Sequence, residues 1–221
     1  MRTPVLKILP LLALGLVTVL SACDKTEGNQ TPDTPQLIQP ETVDLGLSVL
    51  WADRNVGAAS PSAPGNHYAF GETVPKQVYT RESYQCDNYY WDSDTYQLKA
   101  EDDAATLQLG EGWRTPTDDE LIELKNNCMW ERVVLDGQFG YKVTSKINGN
   151  SIFLPAAGYK KDQQLVNGNK RGYYWSCHSS SYYSGYRADY LHFFSLGNGR
   201  GVAIVSHVRW YGFSVRAVKD K

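Results

Sequence analysis

The stretch "GWRTPTDDELIELKNNC" at residues 112–128 carries the clearest secondary-structure signal in the chain. Thr117 is followed three residues later by Glu120, which is the spacing of a helix capping box. The two acids directly after Thr117 lie where the helix dipole favours negative charge. Three apolar side chains then recur on one helical face: Leu121, Leu124 and Cys128. The pattern predicts an amphipathic helix of about three turns.

Alternating apolar residues before this helix predict a strand. In "VDLGLSVLWADRNVGA" at residues 43–58, every second position from Val43 to Val49 is apolar. The positions between them are small or polar: Asp44, Gly46 and Ser48. A period of two is the pattern of a half-buried strand, so we expect one at the entry to the domain.

A turn-rich passage precedes the helix, and the chain after the helix has the character of β structure. Asn148-Gly149 separates two strand-like runs within residues 141–159, and this dipeptide is a strong hairpin signal. The run "GVAIV" at residues 201–205 predicts a short buried strand. The closing segment at residues 212–218 places Phe213, Val215 and Ala217 on one face. We therefore predict an α+β fold, mostly antiparallel β with one clear amphipathic helix.

The beginning of the chain predicts an exported protein. Residues 1–22 combine a basic start with an apolar run from Ile8 to Leu20, which suits a secretory signal and is short for a membrane span. The sequence Leu-Ser-Ala-Cys at 20–23 resembles a bacterial lipobox. That resemblance implies that Cys23 becomes acylated after cleavage and anchors the protein in the membrane. An ordinary cleaved signal with a chance cysteine is the alternative.

A tether and one domain follow. Residues 23–42 are polar, contain three prolines and lack apolar periodicity, as expected of a linker. Residues 43–221 are long enough for a single domain with its own core. Asp24 and Glu27 loosely resemble the acidic export signal of surface lipoproteins. We therefore expect an outer membrane lipoprotein exposed at the cell surface, with periplasmic display left open.

Charge and cysteine content narrow the function classes. The formal net charge is −2, so no excess of basic residues points to nucleic acid, and we expect no nucleic-acid partner. Three cysteines follow Cys23: Cys86, Cys128 and Cys177. Because this count is odd, at least one thiol is expected to be free, and a pair between Cys86 and Cys128 stays open.

Several motifs in fixed order resemble one family of surface lipoproteins. They are "VDLGLSVLWADRNVGA", "GWRTPTDDELIELKNNC", "NGNSIFLPAAGY", "GYYWSC" and "YGFSVRAV", spread over residues 43–218. Together they resemble the Fibrobacter succinogenes major paralogous (FISUMP) domain of Bacteroidales-type bacteria. The resemblance implies a C-type-lectin-like fold of the variety shared with formylglycine-generating enzymes. In that fold the N- and C-terminal strands pair, and irregular loops and short strands present one exposed face.

An enzyme of the formylglycine-generating class is the first alternative. The segments "WRTPTDDELIEL" and "GFSVR" are similar to structural parts of those enzymes. Their chemistry needs a pair of reactive cysteines near the C-terminus, whereas the last third of this chain contains only Cys177. We therefore expect a protein that is not an enzyme and has no catalytic residues.

Metal and cofactor motifs are also missing from the sequence. The four histidines are too scattered to suggest zinc by spacing. Asp92, Asp94 and the acids at 101–103 lack the glycine and distal glutamate of a calcium loop, which favours a solvated acidic loop. We expect no metal site and no cofactor.

The stretch "SYYSGYRADYLHFF" at residues 181–194 suggests a binding surface. Leu191 and Phe193 match apolar positions of the family, which places Tyr190 and His192 on the opposite, more exposed face. Residues 177–187 lack apolar periodicity and are expected to form a loop. From 173 to 212 there are seven tyrosines and seven serines against one acid, a composition typical of binding loops.

This composition leads to a binding hypothesis. The candidate ligand-binding residues are His178, Tyr182, Tyr183, Tyr186, Arg187, Tyr190, His192, Asn198, Arg200, His207 and Trp210. Tyrosines at 173 and 174, Trp175, Arg209, Tyr211 and Arg216 match structural positions of the family and are assigned to packing. We expect a glycan or a surface protein as the ligand, as for an adhesin. Alternatively, the tyrosines only pack half-buried strands, or the same face docks a partner in a surface or pilus assembly.

The same region resembles proteins that diversify their ligand site. Variable proteins of diversity-generating retroelements use this fold and end similarly, with mutable codons that yield mainly Asn, Ser, Tyr, His and Asp. Residues 177–210 share that bias, although ordinary family members share it too.

Overall fold

The computed structural model describes residues 39–86, 96–180, 186–194 and 201–221, which belong to one compact unit. The expected signal segment, Cys23 and most of the tether lie outside these residues. Within the described ranges, no helix is both long and apolar enough to span a bilayer.

Short strands dominate the architecture, which is the expected α+β class with mainly antiparallel sheets. The helices are α1 (Ala104–Leu109), preceded by a 3₁₀ turn (Ala100–Asp102), and α2 (Asp118–Asn127). The strands in chain order are β1 (Thr42–Asp44), β2 (Leu50–Ala52), β3 (Trp113–Arg114), β4 (Cys128–Leu135), β5 (Gln138–Ser145), β6 (Ser151–Pro155), β7 (Tyr159–Lys161), β8 (Gln164–Val166), β9 (Arg171–Ser179), β10 (Arg187–Phe194), β11 (Val202–Val208) and β12 (Val218–Lys219).

Helix α2 forms as its sequence predicts. The Thr117 hydroxyl accepts a hydrogen bond from the Glu120 backbone N–H at 3.2 Å, and the Glu120 carboxylate accepts one from the Thr117 N–H at 2.8 Å. Leu121 and Leu124 are buried in the core. Cys128 is buried as well, but it ends the helix and begins β4.

The two ends of the domain meet in one sheet, with strand order β1-β2-β12-β3. Val218 pairs with Trp51 on one side and with Arg114 on the other. The prediction of a single strand within 43–58 was wrong, because bends at 46–49 separate β1 from β2. The alternation still describes burial, since Leu45, Leu47 and Val49 all lie in the core.

Two hairpins build the sheet β4-β5-β6. The predicted turn at Asn148-Gly149 joins β5 to β6, with Gly149 at a φ of 80°. The turn that joins β4 to β5 was not predicted, although its Asp136-Gly137 is also a strong hairpin dipeptide. Both of its residues have positive φ, 51° and 78°, which matches the twist of the flanking strands.

The third sheet has the order β11-β10-β9 and contributes buried side chains to an apolar cluster on each of its faces. Leu191 and Phe193 lie in the main core, as predicted. The prediction that Tyr190 is exposed was wrong, because it is 5% exposed within a second apolar cluster on the opposite face. The loop predicted for residues 177–187 is shorter, because β9 continues through Cys177 and His178 to Ser179 and β10 begins at Arg187. Strand β11 is confirmed, but Val205 is 41% exposed because β11 is an edge strand.

The acidic segment at 101–103 is only partly a solvated loop. Asp103 is buried and caps α1, where its carboxylate accepts hydrogen bonds from the backbone N–H groups of Ala105 and Thr115 at 2.8 and 2.7 Å. These bonds connect the start of α1 to the end of β3, which is why the carboxylate tolerates burial.

A buried arginine joins the two main sheets. Arg216, 1% exposed, donates to the Asn55 side-chain oxygen at 2.7 Å, to the Ala52 carbonyl at 3.1 Å and to the Phe153 carbonyl at 2.8 Å. Burial lowers the pKa of Arg216 to about 10, so the group stays charged at neutral pH. The packing role assigned to Arg216 from the sequence agrees with this position.

Replacing Arg216 should therefore destabilise the domain strongly. We expect Arg216→Ala to lower the free energy of unfolding by about 3 kcal/mol or more, because several buried acceptors lose their donor and a cavity remains. Urea unfolding at pH 7 measures this loss. The matched control is Arg132→Ala, an exposed residue of β4 whose guanidinium lies 4.5 Å from the Phe139 ring. Its loss should stay below about 1 kcal/mol, and equal losses in both variants would contradict the role of Arg216.

Candidate ligand-binding face

The predicted ligand residues do not form one group. Tyr182, Tyr183, Asn198 and Arg200 lie outside the described residues. The remaining seven divide among three places. Tyr190, His192 and His207 lie on one face of the sheet β9-β10-β11, Tyr186 and Trp210 lie beside Arg81, and His178 lies at the start of α2. Arg187 begins β10, and its charge contributes to the lowered pKa of His207 in the first group.

Strand register brings the first group together. On β10, Tyr190 pairs with Trp175 of β9, and His192 pairs with Tyr173. On the other side of β10, Ala188 pairs with His207 of β11. Because paired residues point to the same side of a sheet, these rings share a face. That face points away from Leu191 and Phe193, and β7 and residue 211 add two further rings to it.

We call this surface the aromatic face and define it by its rings: Tyr159, Tyr173, Tyr190, His192, Phe194, His207 and Tyr211. It has two layers. Tyr173 and Tyr190 form a buried inner layer and stack with centroids 5.9 Å apart. The other five rings are half-buried and form the outer layer.

The outer rings present flat surfaces at short distances from one another. Tyr159 and Tyr211 stack with centroids 5.5 Å apart and an angle of 24° between their planes. His207 lies 4.9 Å from Tyr211, and His192 stacks on Phe194 at 5.5 Å. Tyr159 also packs edge-on against Tyr173 at 4.8 Å, which fixes it on the inner layer. Amphipathic rings held in this way offer contact area at little entropic cost.

Cations border the aromatic face. The Lys161 ammonium lies 5.7 Å from the centroid of Tyr211, and the Arg171 guanidinium lies 5.8 Å from that of Phe194. A hydrogen bond with Tyr211 raises the pKa of Lys161. Burial and the charges of Arg187 and Lys161 lower the pKa of His207. Positive charge therefore acts on the face from several sides.

His192 is held neutral within this setting. Burial, together with the charges of Arg171 and His207, lowers its pKa to about 4. Its Nε2 atom is buried and makes no hydrogen bond to any residue that the structure describes. Burial also raises the pKa of Tyr159, and the charges of Lys161 and Arg171 oppose that shift.

Tyr186 and Trp210 form a separate contact beside the aromatic face. The Arg81 guanidinium lies 4.8 Å from the ring of Tyr186 and 5.8 Å from that of Trp210. Trp210 meets Tyr211 edge-on at 6.5 Å, so this contact adjoins the face at one end.

His178 belongs to a different environment. Its Nδ1 lies 3.2 Å from the backbone nitrogen of Asp118 and 3.4 Å from the Asp118 carboxylate, which raises the pKa of His178. Its Nε2 lies 3.0 Å from the Gln97 amide nitrogen. These contacts tie β9 to the start of α2 and place His178 away from the rings of the aromatic face.

Several members of the aromatic face were not predicted from the sequence. Tyr159, Lys161 and Arg171 were not considered, and Tyr211 was assigned to packing. Tyr159 and Tyr211 are far apart in the chain, so no local period connects them. The one usable signal was the period of two in this strand, which places Phe194 on the same side as Tyr190 and His192.

The cysteines have the character of packed side chains. Cys86, Cys128 and Cys177 are all unpaired, so the Cys86–Cys128 pair that was left open does not form. Burial raises the pKa of Cys177 to about 12, which keeps it a thiol at neutral pH. Across the described ranges, no cluster of three His, Cys, Asp or Glu side chains could hold a metal ion.

Comparison of the chain with protein-family models, with curated proteins and with solved structures finds no match.

The neutral state of His192 predicts a pH effect on stability. Its folded pKa of about 4 lies below the value of ~6.5 expected when unfolded, so the unfolded state binds more protons between these pH values. Stability is therefore lost as the pH falls through this window. We expect His192→Gln to reduce the loss between pH 7 and pH 5 by roughly 1 to 2 kcal/mol, measured by urea unfolding.

The control for this prediction is His178→Gln. Because the pKa of His178 is raised, its contribution grows as the pH falls, and removing it should increase the loss on acidification. The same pH profile for both variants would contradict the opposite environments described above.

Proposed function

We propose that the chain is a non-enzymatic, lipid-anchored protein of the outer membrane that binds a glycan or a surface protein through its aromatic face. In this proposal it is a FISUMP-type protein, displayed at the cell surface, with an adhesin-like role. The finer fold assignment, a C-type-lectin-like domain of the formylglycine-generating variety, belongs to the same proposal. It is supported by the pairing of β2 with β12 next to a capped helix.

The observation that carries the proposal is the half-buried outer layer of the aromatic face. Tyr159, His207 and Tyr211 keep their rings partly open to solvent although a buried layer beneath them already completes the core. Rings with an apolar surface and a polar tip suit ligands that are amphipathic themselves, as sugars and protein surfaces are. Diversification of residues 177–210 would then vary four rings of this face, Tyr190, His192, Phe194 and His207.

The state of Cys177 supports the absence of enzyme activity. A nucleophilic or metal-binding cysteine acts as a thiolate, and burial holds this group as a thiol. The Cys177 backbone N–H also donates a hydrogen bond to the Pro116 carbonyl at 2.8 Å. These features are those of a packed strand residue.

A structural subunit of a surface or pilus assembly is the second candidate. Strand β4 lies at the edge of its sheet and exposes Met129 and Val134 by 56% and 68%. Val133, Val134 and Phe153 also line a groove of about 400 Å³ on the same sheet. An edge strand with apolar side chains can pair with a partner strand.

The experiment that tests the first candidate is a binding screen with the full chain. The panel contains neutral glycans, acidic glycans and purified bacterial and host surface proteins. A His207→Ala/Tyr211→Ala variant should bind the selected ligand at least about tenfold more weakly, since it loses two ring surfaces. Urea unfolding would confirm that the variant remains folded.

The matched control is Tyr96→Ala, which removes a tyrosine that is 46% exposed and lies outside the aromatic face. Its affinity should equal that of the parent. Equal binding by parent and double variant would move the site elsewhere, and no binding to any panel member would favour the assembly role.

A further inference from the structure

We infer that the aromatic face is selective for anionic sugars and takes a carboxylated oligosaccharide. This inference rests on the proposed function and names the ligand class for the same surface. A sugar ring would lie against the half-buried rings of Tyr159 and Tyr211. Its carboxylate would meet Lys161 or Arg171 at the border.

The border cations are placed on either side of the stacked rings. Lys161 ends β7 next to Tyr211, and Arg171 begins β9 next to Phe194. The charges of Lys161 and Arg171 both act on the Tyr159 hydroxyl, where they lower a pKa that burial raises. A carboxylate at this position would form charge-assisted hydrogen bonds with either cation, and it would share the Lys161 ammonium with Asp162, whose charge also acts on that group.

The ring geometry favours a sugar over an acidic peptide. The planes of Tyr159 and Tyr211 differ by 24°, and those of His192 and Phe194 by 27°, so the rings of each pair are nearly parallel, and each ring stays partly open to solvent. The C–H face of a pyranose ring is flat and apolar, whereas its hydroxyl groups reach outward to polar tips. Val205, exposed in the middle of β11 on the same side of the sheet, adds apolar area.

Electrostatics predicts that protons are taken up on binding. The groups that act on His207 or lie against it are Lys161 of β7, Arg187, Tyr190 and His192 of β10, Tyr159 and Tyr211. Burial and the charges of Arg187 and Lys161 lower the pKa of the His207 imidazole, and an arriving carboxylate would oppose that shift. The pKa of His207 should rise in the complex, so affinity should increase as the pH falls from 7 to 5.

The test uses the full chain and four acidic probes: oligogalacturonate, oligomannuronate, a hyaluronan tetrasaccharide and sialyllactose. Each is compared with its own methyl ester, which keeps the sugar and removes the charge, and with a poly-glutamate peptide. We expect at least one acid to bind by isothermal titration calorimetry and to bind about tenfold more tightly than its ester. Affinity should also fall as salt increases.

Variants show which cations are responsible for the preference for the acid. Lys161→Gln and Arg171→Gln together should remove the preference for the acid over the ester, whereas Lys161→Arg should retain it. Lys142→Gln on β5, which faces the other groove, is the matched control and should change nothing. His207→Gln should abolish the pH dependence of affinity between pH 7 and pH 5.

Three results would overturn the inference. Binding of none of the acids, equal binding of acid and ester, or equal binding of poly-glutamate would each show that the face does not select carboxylated sugars. The proposed function would survive the first two results if a neutral glycan or a protein of the binding screen still requires His207 and Tyr211. It would fall with the inference only if no panel member depends on those rings.

Discussion

The structure depends on a positive charge that lies where water cannot reach it. The Arg216 guanidinium is satisfied by Asn55 and by the carbonyl groups of two different strands. Next to it, the buried Tyr174 hydroxyl donates to the Pro155 carbonyl at 2.6 Å and lies 3.4 Å from the Asn55 amide. A buried network of this kind is favourable only when every member is paired, so it fixes the mutual positions of the segments that carry it. The sheet formed by both chain ends is thereby held against β6.

This constraint determines what the sheet β9-β10-β11 can present. One face of the sheet packs into the main core, and on that face the Tyr174 hydroxyl joins the Arg216 network through Asn55. On the opposite face, Tyr173, Tyr190 and Trp175 are buried by side chains of β7 and of the closing segment, among them Tyr159 and Phe213. These elements are too narrow to cover it, and the outer rings remain half-buried. The partly open aromatic face thus follows from incomplete coverage of a second core, with cations at its border.

Local signals predicted local structure well. The capping box of α2 and the Asn148-Gly149 turn depend on neighbouring residues, and the structure confirms both. Alternation failed for Tyr190, because period two separates the faces of a strand but cannot show that both are covered. The candidate site was predicted only in part, at His192 and His207. Tyr159, Lys161 and Tyr211 join them through contacts between distant segments, and a single sequence contains no period or spacing that links them.

The most direct test of the central claim is an NMR titration of the full chain with ¹³C-labelled aromatic rings, using oligogalacturonate as the probe. Chemical-shift changes should concentrate on Tyr159, His207 and Tyr211, with little change at Tyr96 or Trp130. Shifts centred on the β4 edge at Met129 and Val134, or no shifts at all, would contradict the claim that the aromatic face binds such a sugar.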